Sequence, residues 1–162
     1  MATKSLGIYR LKRVTERDQQ QLADLVFLGM KEVGFQHDVR LEANLKGWQE
    51  EYIDTGGIID VLRDGEVIVG CVAVKILSDD SAEVKVLRVL RPYQGQGFGK
   101  RLMKNAIAFC QENKLKWMCL NTNMWNVRAL KLFRDLGFTD TRKEGNNICL
   151  ELDIGRTSTI GQ

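Results

Sequence analysis

The stretch from Ala82 to Asn105, AEVKVLRVLRPYQGQGFGKRLMKN, constrains the fold of this chain more than any other. Glu83 to Val89 sets β-branched and apolar residues among charges at Glu83, Lys85 and Arg88, the pattern of a strand. After Arg91-Pro92-Tyr93, glycines stand at alternate positions in Gln94-Gly95-Gln96-Gly97-Phe98-Gly99. From Phe98 the period becomes helical, with Phe98, Leu102, Ala106 and Phe109/Cys110 on one stripe. A strand, a glycine-rich turn and a helix make a site for something phosphorylated. The first N–H groups of a helix have no partners inside it, and its dipole adds partial positive charge there. Glycine lets successive N–H groups point inward and lets a bulky anion approach without meeting a Cβ.

The spacing argues against the two commonest phosphate loops. A P-loop ends in Gly-Lys-Ser/Thr, but here Arg101 follows Gly99-Lys100 where the hydroxyl should stand. A dinucleotide fingerprint reads G-x-G-x-x-G, and Gly95, Gly97 and Gly99 give G-x-G-x-G. Gln94 to Gly99 instead resembles Q/R-x-x-G-x-G/A, the acyl-CoA loop of the GCN5-related N-acetyltransferase (GNAT) superfamily. A glycine-rich turn that binds nothing has the same local pattern, so the rest of the chain must decide.

In chain order, Ile8 to Val14 alternates apolar and basic residues and predicts a strand at a sheet edge. Thr15, with Asp18 three residues on, predicts a helix start, and Leu22, Leu25, Val26 and Met30 form the stripe of that helix. Gly34 to Asp38 breaks it. A second helix is predicted from about Val39 to Tyr52, carrying Leu41, Leu45, Trp48 and Tyr52 on one face and ending at Gly56-Gly57. Strands Ile58–Arg63 and Glu66–Leu77 follow as a hairpin through Asp64-Gly65. The helix after the glycine loop fades near Asn113. Trp117 to Asn121 then completes a β-α-β unit, placing this strand parallel to Glu83–Val89. Asn126 caps a helix over Val127–Leu136, Gly137 stops it, and Phe138–Thr141 with Asn147–Asp153 closes as a last hairpin.

That order of elements is similar to the GNAT fold over about Tyr9 to Leu152. Two further segments carry the resemblance. Ala82 to Val89 resembles the family's fourth strand, and Asn126 to Phe138 (NVRALKLFRDLGF) is similar to its N-x-x-A-x-x-x-Y-x-x-x-G-F signature. The fold expected is therefore α/β, with a mixed, mostly antiparallel sheet, splayed parallel fourth and fifth strands, and flanking helices. The 162 residues suit one domain, with a core of about 8–153 and a flexible tail from 154 to 162.

Composition narrows the setting. The net charge of +3, spread without a basic run, gives no reason to expect nucleic acid. No apolar stretch nears the roughly 20 residues that span a bilayer, and MATKSLGIYRLKR has no signal-peptide core. The 4 cysteines (Cys71, Cys110, Cys119, Cys149) lie far apart in apolar segments, and the sole histidine is His37. Buried reduced thiols, no metal and a cytoplasmic location are expected. Trp48, Trp117 and Trp125 are expected in the core or a pocket wall, and Glu50, Glu51 and Asp54 on a solvated helix face.

The resemblance implies acetyl-CoA as acyl donor and a primary amine, on a small molecule or a peptide, as acceptor, in a monomer or homodimer. It implies that main-chain groups of Leu87, Arg88 and Val89 pair with the pantetheine arm. It also implies that Gln94, Gly95, Gln96, Gly97, Phe98, Gly99 and Lys100 hold the pyrophosphate. Asn126 would hydrogen-bond the arm, a role compatible with capping its helix.

Acyl transfer needs an amine stripped of its proton and a polarised carbonyl. Glu83 matches the glutamate base of the family's histone-acetylating members, and burial on a central strand could raise its pKa usefully. A carboxylate paired with Lys85 or Arg88, or simply solvated, is the other reading. At the position of the family's tyrosine acid stands Phe133, which has no proton to give. The thiolate then leaves unaided, or Cys119, Tyr93 or water takes over, or the domain binds acyl-CoA without turnover. The segments around 34–56 and the last hairpin would choose the acceptor, and neither names it.

Overall fold

The computed structural model describes residues 6–32 and 47–156, and the predicted features at Gly34–Asp38, His37, Leu41 and Leu45 lie outside them. Seven strands form one sheet in the order β1-β2-β3-β4-β5-β7-β6. They are β1 (Leu6–Arg10), β2 (Ile58–Asp64), β3 (Val67–Ile76), β4 (Ser81–Val89), β5 (Trp117–Asn123), β6 (Thr139–Glu144) and β7 (Asn147–Asp153). All neighbours are antiparallel except β4 and β5. Among the described residues, α-helices accompany them at α1 (Glu16–Glu32), α2 (Phe98–Glu112) and α3 (Val127–Asp135). The α/β fold expected from the sequence is the one observed.

Helices cover both faces. On one, α2 and α3 press Leu102, Met103, Ala106, Leu130 and Phe133 onto Val72, Val74, Val84, Met118, Leu120 and Leu150. On the other, Leu22, Leu25 and Val26 of α1 meet Trp48, Tyr52, Ile59, Val61, Cys71 and Ala73. β3 is buried on both sides over most of its length and reads as a nearly continuous apolar run. Ile58 to Leu62 of β2 does so except at Asp60, which is buried and accepts from Arg10 Nε at 2.8 Å. Thr15 and Asp18 close the capping box that starts α1: the Asp18 N–H donates to the Thr15 hydroxyl at 3.1 Å and the Thr15 N–H to the Asp18 carboxylate at 3.2 Å.

Several boundaries differ from expectation. β1 stops at Arg10 rather than Val14, because β2 begins at Ile58 and offers nothing to pair with beyond Leu11, whose N–H reaches the Ile59 carbonyl. The described end of the second helix is a π turn, Gln49–Ile53, closed by the Asp54 N–H on the Gln49 carbonyl at 2.8 Å. The tail expected from residue 154 instead begins with a 3-10 turn, Ile154–Arg156, whose Ile154 is buried. Of the tryptophans, Trp48 is in the core, whereas Trp117 and Trp125 are exposed. Cys71 and Cys110 are buried thiols, while Cys119 and Cys149 are only partly covered. No helix among the described residues is long and apolar enough to cross a membrane.

Candidate functional site

Two features of β4 build the site. The first is a bulge. Ala73 pairs with Val86 and Val74 with Val84, so Lys85 is an extra residue that loops out of the ladder. One added residue exchanges the faces of everything after it. Before the bulge, Ala82 and Val84 face α2 and Glu83 faces the α1 side; after it, Leu87 and Val89 face α2 while Val86 and Leu90 pack on the α1 side. Glu83 and Arg88 therefore share the α1 face.

The second feature is a splay. β4 and β5 are paired only from Ser81↔Trp117 to Val84↔Leu120. Beyond that β5 follows β7 as far as Asn123↔Asn147, while β4 stays with β3 as far as Val89↔Gly70. The Leu90 N–H donates to the Val69 carbonyl, so by the two-residue period Arg88 turns its main chain to β3. Leu87 and Val89 turn theirs into the gap. Of the expected trio, these two present free N–H groups there, and Arg88 brings a side chain instead. Both gap-facing carbonyls are held by side chains: Gln94 Nε2 donates to Val89 O at 2.8 Å and Arg88 Nη1 to Leu87 O at 2.8 Å.

The glycine turn closes the far end of the gap. Gly95 and Gly97 have φ of +76° and +87°, and Gly97 sits at the N-terminus of α2. The first main-chain bond of α2 runs from the Arg101 N–H to the Gly97 carbonyl. The N–H groups from Gly95 through Lys100 donate to nothing among the described residues. A Cβ at Gly97 would meet no atom within 4 Å, so the space in front of these amides is open. Gly99 differs: a Cβ there would lie 3.6 Å from Leu132, an ordinary contact with α3.

The candidate catalytic groups lie around the gap. Glu83 accepts from Asn121 Nδ2 at 3.4 Å and has Lys85 Nζ at 3.8 Å. Phe133 is buried, its ring 6.0 Å from that of Phe138. Tyr93 is tied away from the gap, its hydroxyl donating to Asp64 at 2.6 Å, and that bond raises its pKa. Cys119, opposite Glu83 in the parallel register, has its thiol pushed up to about 11, first by burial and then by Glu83. A thiol that weak gives up a proton to a CoA thiolate only uphill, since ordinary thiols titrate near 8.5. Asn126 caps α3, accepting from the Ala129 N–H at 3.4 Å.

The comparisons with known proteins agree with this geometry. No curated protein sequence matches the chain closely enough to count as a relative. The family model described as Acetyltransferase (GNAT) family matches residues 20–138, well over half of the chain. The chain belongs to the GNAT family of acetyltransferases. Solved structures similar to this GNAT protein share its fold at low identity. An acetyltransferase from Streptococcus agalactiae superposes with a TM-score of 0.83 at 16% identity, over 93% of this chain and 99% of its own. For yncA of Salmonella typhimurium, solved with acetyl-CoA, the figures are 0.75, 16%, 92% and 94%. For the PaiA N-acetyltransferase of Thermoplasma acidophilum, in complex with coenzyme A, they are 0.73, 16%, 92% and 99%.

Two residues of this GNAT chain escaped the sequence reading. Arg128 lies over the glycine turn, its Nη1 donating to Gln94 Oε1 at 3.1 Å and its Nη2 3.6 Å from where a Gly95 Cβ would be. Its place two residues after the Asn126 cap, on the first turn of α3, was the available signal. Asn121 reaches Glu83 from β5 and also accepts from the Cys149 thiol at 2.6 Å. It falls within the strand predicted from Trp117 to Asn121, but only the parallel register brings it beside Glu83.

Proposed function

We propose that this protein transfers the acetyl group of acetyl-CoA to a primary amine by direct attack within a ternary complex. The observation that carries the reading is the run of unpartnered N–H groups from Gly95 to Lys100, opening on free space beside the β4–β5 gap. The diphosphate of CoA supplies the acceptors those donors lack, with Lys100 and Arg128 adding charge and Gln94 holding the turn to β4. The pantetheine arm enters the gap, where the Leu87 and Val89 N–H groups and Asn126 are its partners. One of those N–H groups polarises the thioester carbonyl.

Amine acceptors arrive protonated: with a reference pKa near 10.4, only about one in 10³ is free base at neutral pH. Glu83, on the α1 face, takes the proton directly or through water. The amine nitrogen then bonds to the carbonyl carbon, the C–S bond breaks, and the electron pair leaves on sulfur. Phe133 cannot protonate that sulfur, Tyr93 is engaged by Asp64 and Cys119 is too weak an acid. The CoA thiolate is a tolerable leaving group and takes its proton from water.

Phe133 favours a second reading, a module that binds acyl-CoA without turnover. Calorimetric titration with acetyl-CoA, followed by thiol release over a panel of amines, separates the two. Amine-dependent release is the expected result. Tight CoA binding with no release over the panel leaves the binding module, and no CoA binding removes both.

A further inference from the structure

We infer that the acceptor carries a carboxylate as well as its amine, and that the guanidinium of Arg88 receives that carboxylate. The inference rests on the acetyl-transfer reading and adds a substrate class to it. Among the described residues, Arg63 and Arg88 are the arginines whose side chains are not freely exposed. Arg63 is neutralised by Asp18 at 3.0 Å. Among the described residues Arg88 has no acid: the one hydrogen bond of its side chain goes to the Leu87 carbonyl. The cations nearest on the same face are already matched, Lys75 with Glu51 at 2.9 Å and Lys85 with Glu83 at 3.8 Å. A guanidinium drawn from water without an anion is costly unless a ligand supplies one. Burial also pulls its pKa down, and Cys71, its partner across the strand pair, only partly offsets this.

Its position identifies the ligand. The Leu87 carbonyl faces the gap, so the guanidinium that touches it stands at the mouth of the gap, where the acyl group must emerge. It does so from the α1 face, shared with Glu83, whereas the gap-lining side chains of Leu87 and Val89 turn to the α2 side. Arg88 nitrogens are not among the buried polar atoms that lack a partner, so its unpaired Nε and Nη2 remain reachable from solvent. Those two nitrogens lie on one edge of a planar fork and match the two oxygens of a carboxylate. Glu83 and Arg88 on one face thus complement a zwitterion, the acid receiving the ammonium's proton and the cation the carboxylate.

The test uses three product analogues titrated into the complex of the protein with CoA. They are an N-acetylated amino acid, the same compound with its carboxylate made a primary amide, and an N-acetylated dipeptide amide whose carboxylate is an aspartate side chain. At least one acid should bind about ten- to a hundred-fold more tightly than the neutral amide. Whichever acid is favoured tells a free amino acid from a peptide acceptor. Arg88→Gln should reduce the preference to within about twofold and Arg88→Lys should keep part of it, as expected for a charged hydrogen bond against a neutral one. Equal binding of acid and amide to the wild type, no binding of either, or an unchanged preference in Arg88→Gln overturns the inference. A weakened CoA titration in Arg88→Gln does so too, by assigning the guanidinium to the donor. If CoA binds and amines release thiol but acids gain nothing, the Arg88 inference alone has failed. If no thiol is released, the acetyl-transfer reading has failed and takes the inference with it.

Discussion

Gly97→Ala tests the phosphate-binding turn, and the structure supplies its own control. Gly97 has φ +87° and ψ +6°, and an added Cβ there would meet nothing within 4 Å. Gly145, in the turn between β6 and β7, has φ +57° and equally open surroundings. Alanine in the left-handed region costs about 1–2 kcal/mol at either place. For a domain of this size each kcal/mol lowers Tm by about 2–4 °C. The two variants should therefore melt at similar temperatures, below the wild type. They should part in CoA binding. The Cβ at Gly97 fills the space in front of the free amides and pushes phosphate oxygens out of reach. Hydrogen bonds to a charged group are worth about 1.5–3 kcal/mol each, so losing two weakens Kd by about a hundred-fold or more. Gly145→Ala should leave Kd unchanged. Melting curves and calorimetric titration of both variants make the comparison. If Gly97→Ala binds CoA within twofold of Gly145→Ala, the turn does not hold the diphosphate and the donor site must be sought elsewhere.

Glu83→Gln should lower kcat/KM by about 10²–10⁴ at neutral pH and by progressively less as pH approaches the amine's own pKa, in a pH–rate profile. A uniform loss at every pH would take the role of base from Glu83. Phe133→Tyr places a hydroxyl among core residues and should cost about 1–3 kcal/mol in a urea melt, with kcat within threefold of wild type. A tenfold rise in kcat would show that the leaving thiolate needs an acid after all. Asp18→Asn should cost about 1–2 kcal/mol at pH 7 by weakening the bond its carboxylate accepts from the Thr15 N–H and the Arg63 pair. Burial alone would raise the Asp18 pKa, but the hydrogen bonds from Thr15 and Arg63 together hold it below its usual value. Its contribution is therefore present above the unfolded pKa, near 3.9, and lost as pH falls through the folded value, so urea melts at pH 7 and pH 3 should show the difference between the proteins shrinking.

Features governed by neighbours in the chain were legible in the sequence. The Asp64-Gly65 hairpin, the Thr15–Asp18 box, the Asn126 cap and the glycine turn each depend on a few consecutive residues. Features governed by distant partners were not. Nothing near Lys85 announces a bulge, because the bulge is a relation between β3 and β4. The Tyr93–Asp64 bond joins residues 29 apart, so Tyr93 looked available as an acid. Cys119 and Cys149 sit in apolar segments and were expected to be buried. Their face of β5 and β7 is instead polar, with Asn121 and Glu151 beside them, and among the described residues no helix packs on it. Trp117, at the start of β5, is exposed likewise.

The bulge also bears on the kind of reaction the site can run. Without it, Glu83 and Leu87 would lie on one face, so the proposed base would point toward the side proposed for CoA. With it, Leu87 and Val89 turn their side chains to the α2 side and their N–H groups into the gap, while Glu83 and Arg88 stand on the α1 side. On the proposed reading the two substrates approach from opposite faces and meet in the gap, which favours simultaneous occupancy. A covalent acyl-enzyme would need a nucleophile at that meeting point. The thiol that comes nearest is Cys119, and at about 11 its pKa leaves roughly one molecule in 10⁴ as thiolate at neutral pH. The buried Cys71 is weaker still, pushed up to about 12 by its surroundings. Two-sided access and the weak acidity of Cys119 and Cys71 therefore argue together for the proposed direct transfer from CoA to amine.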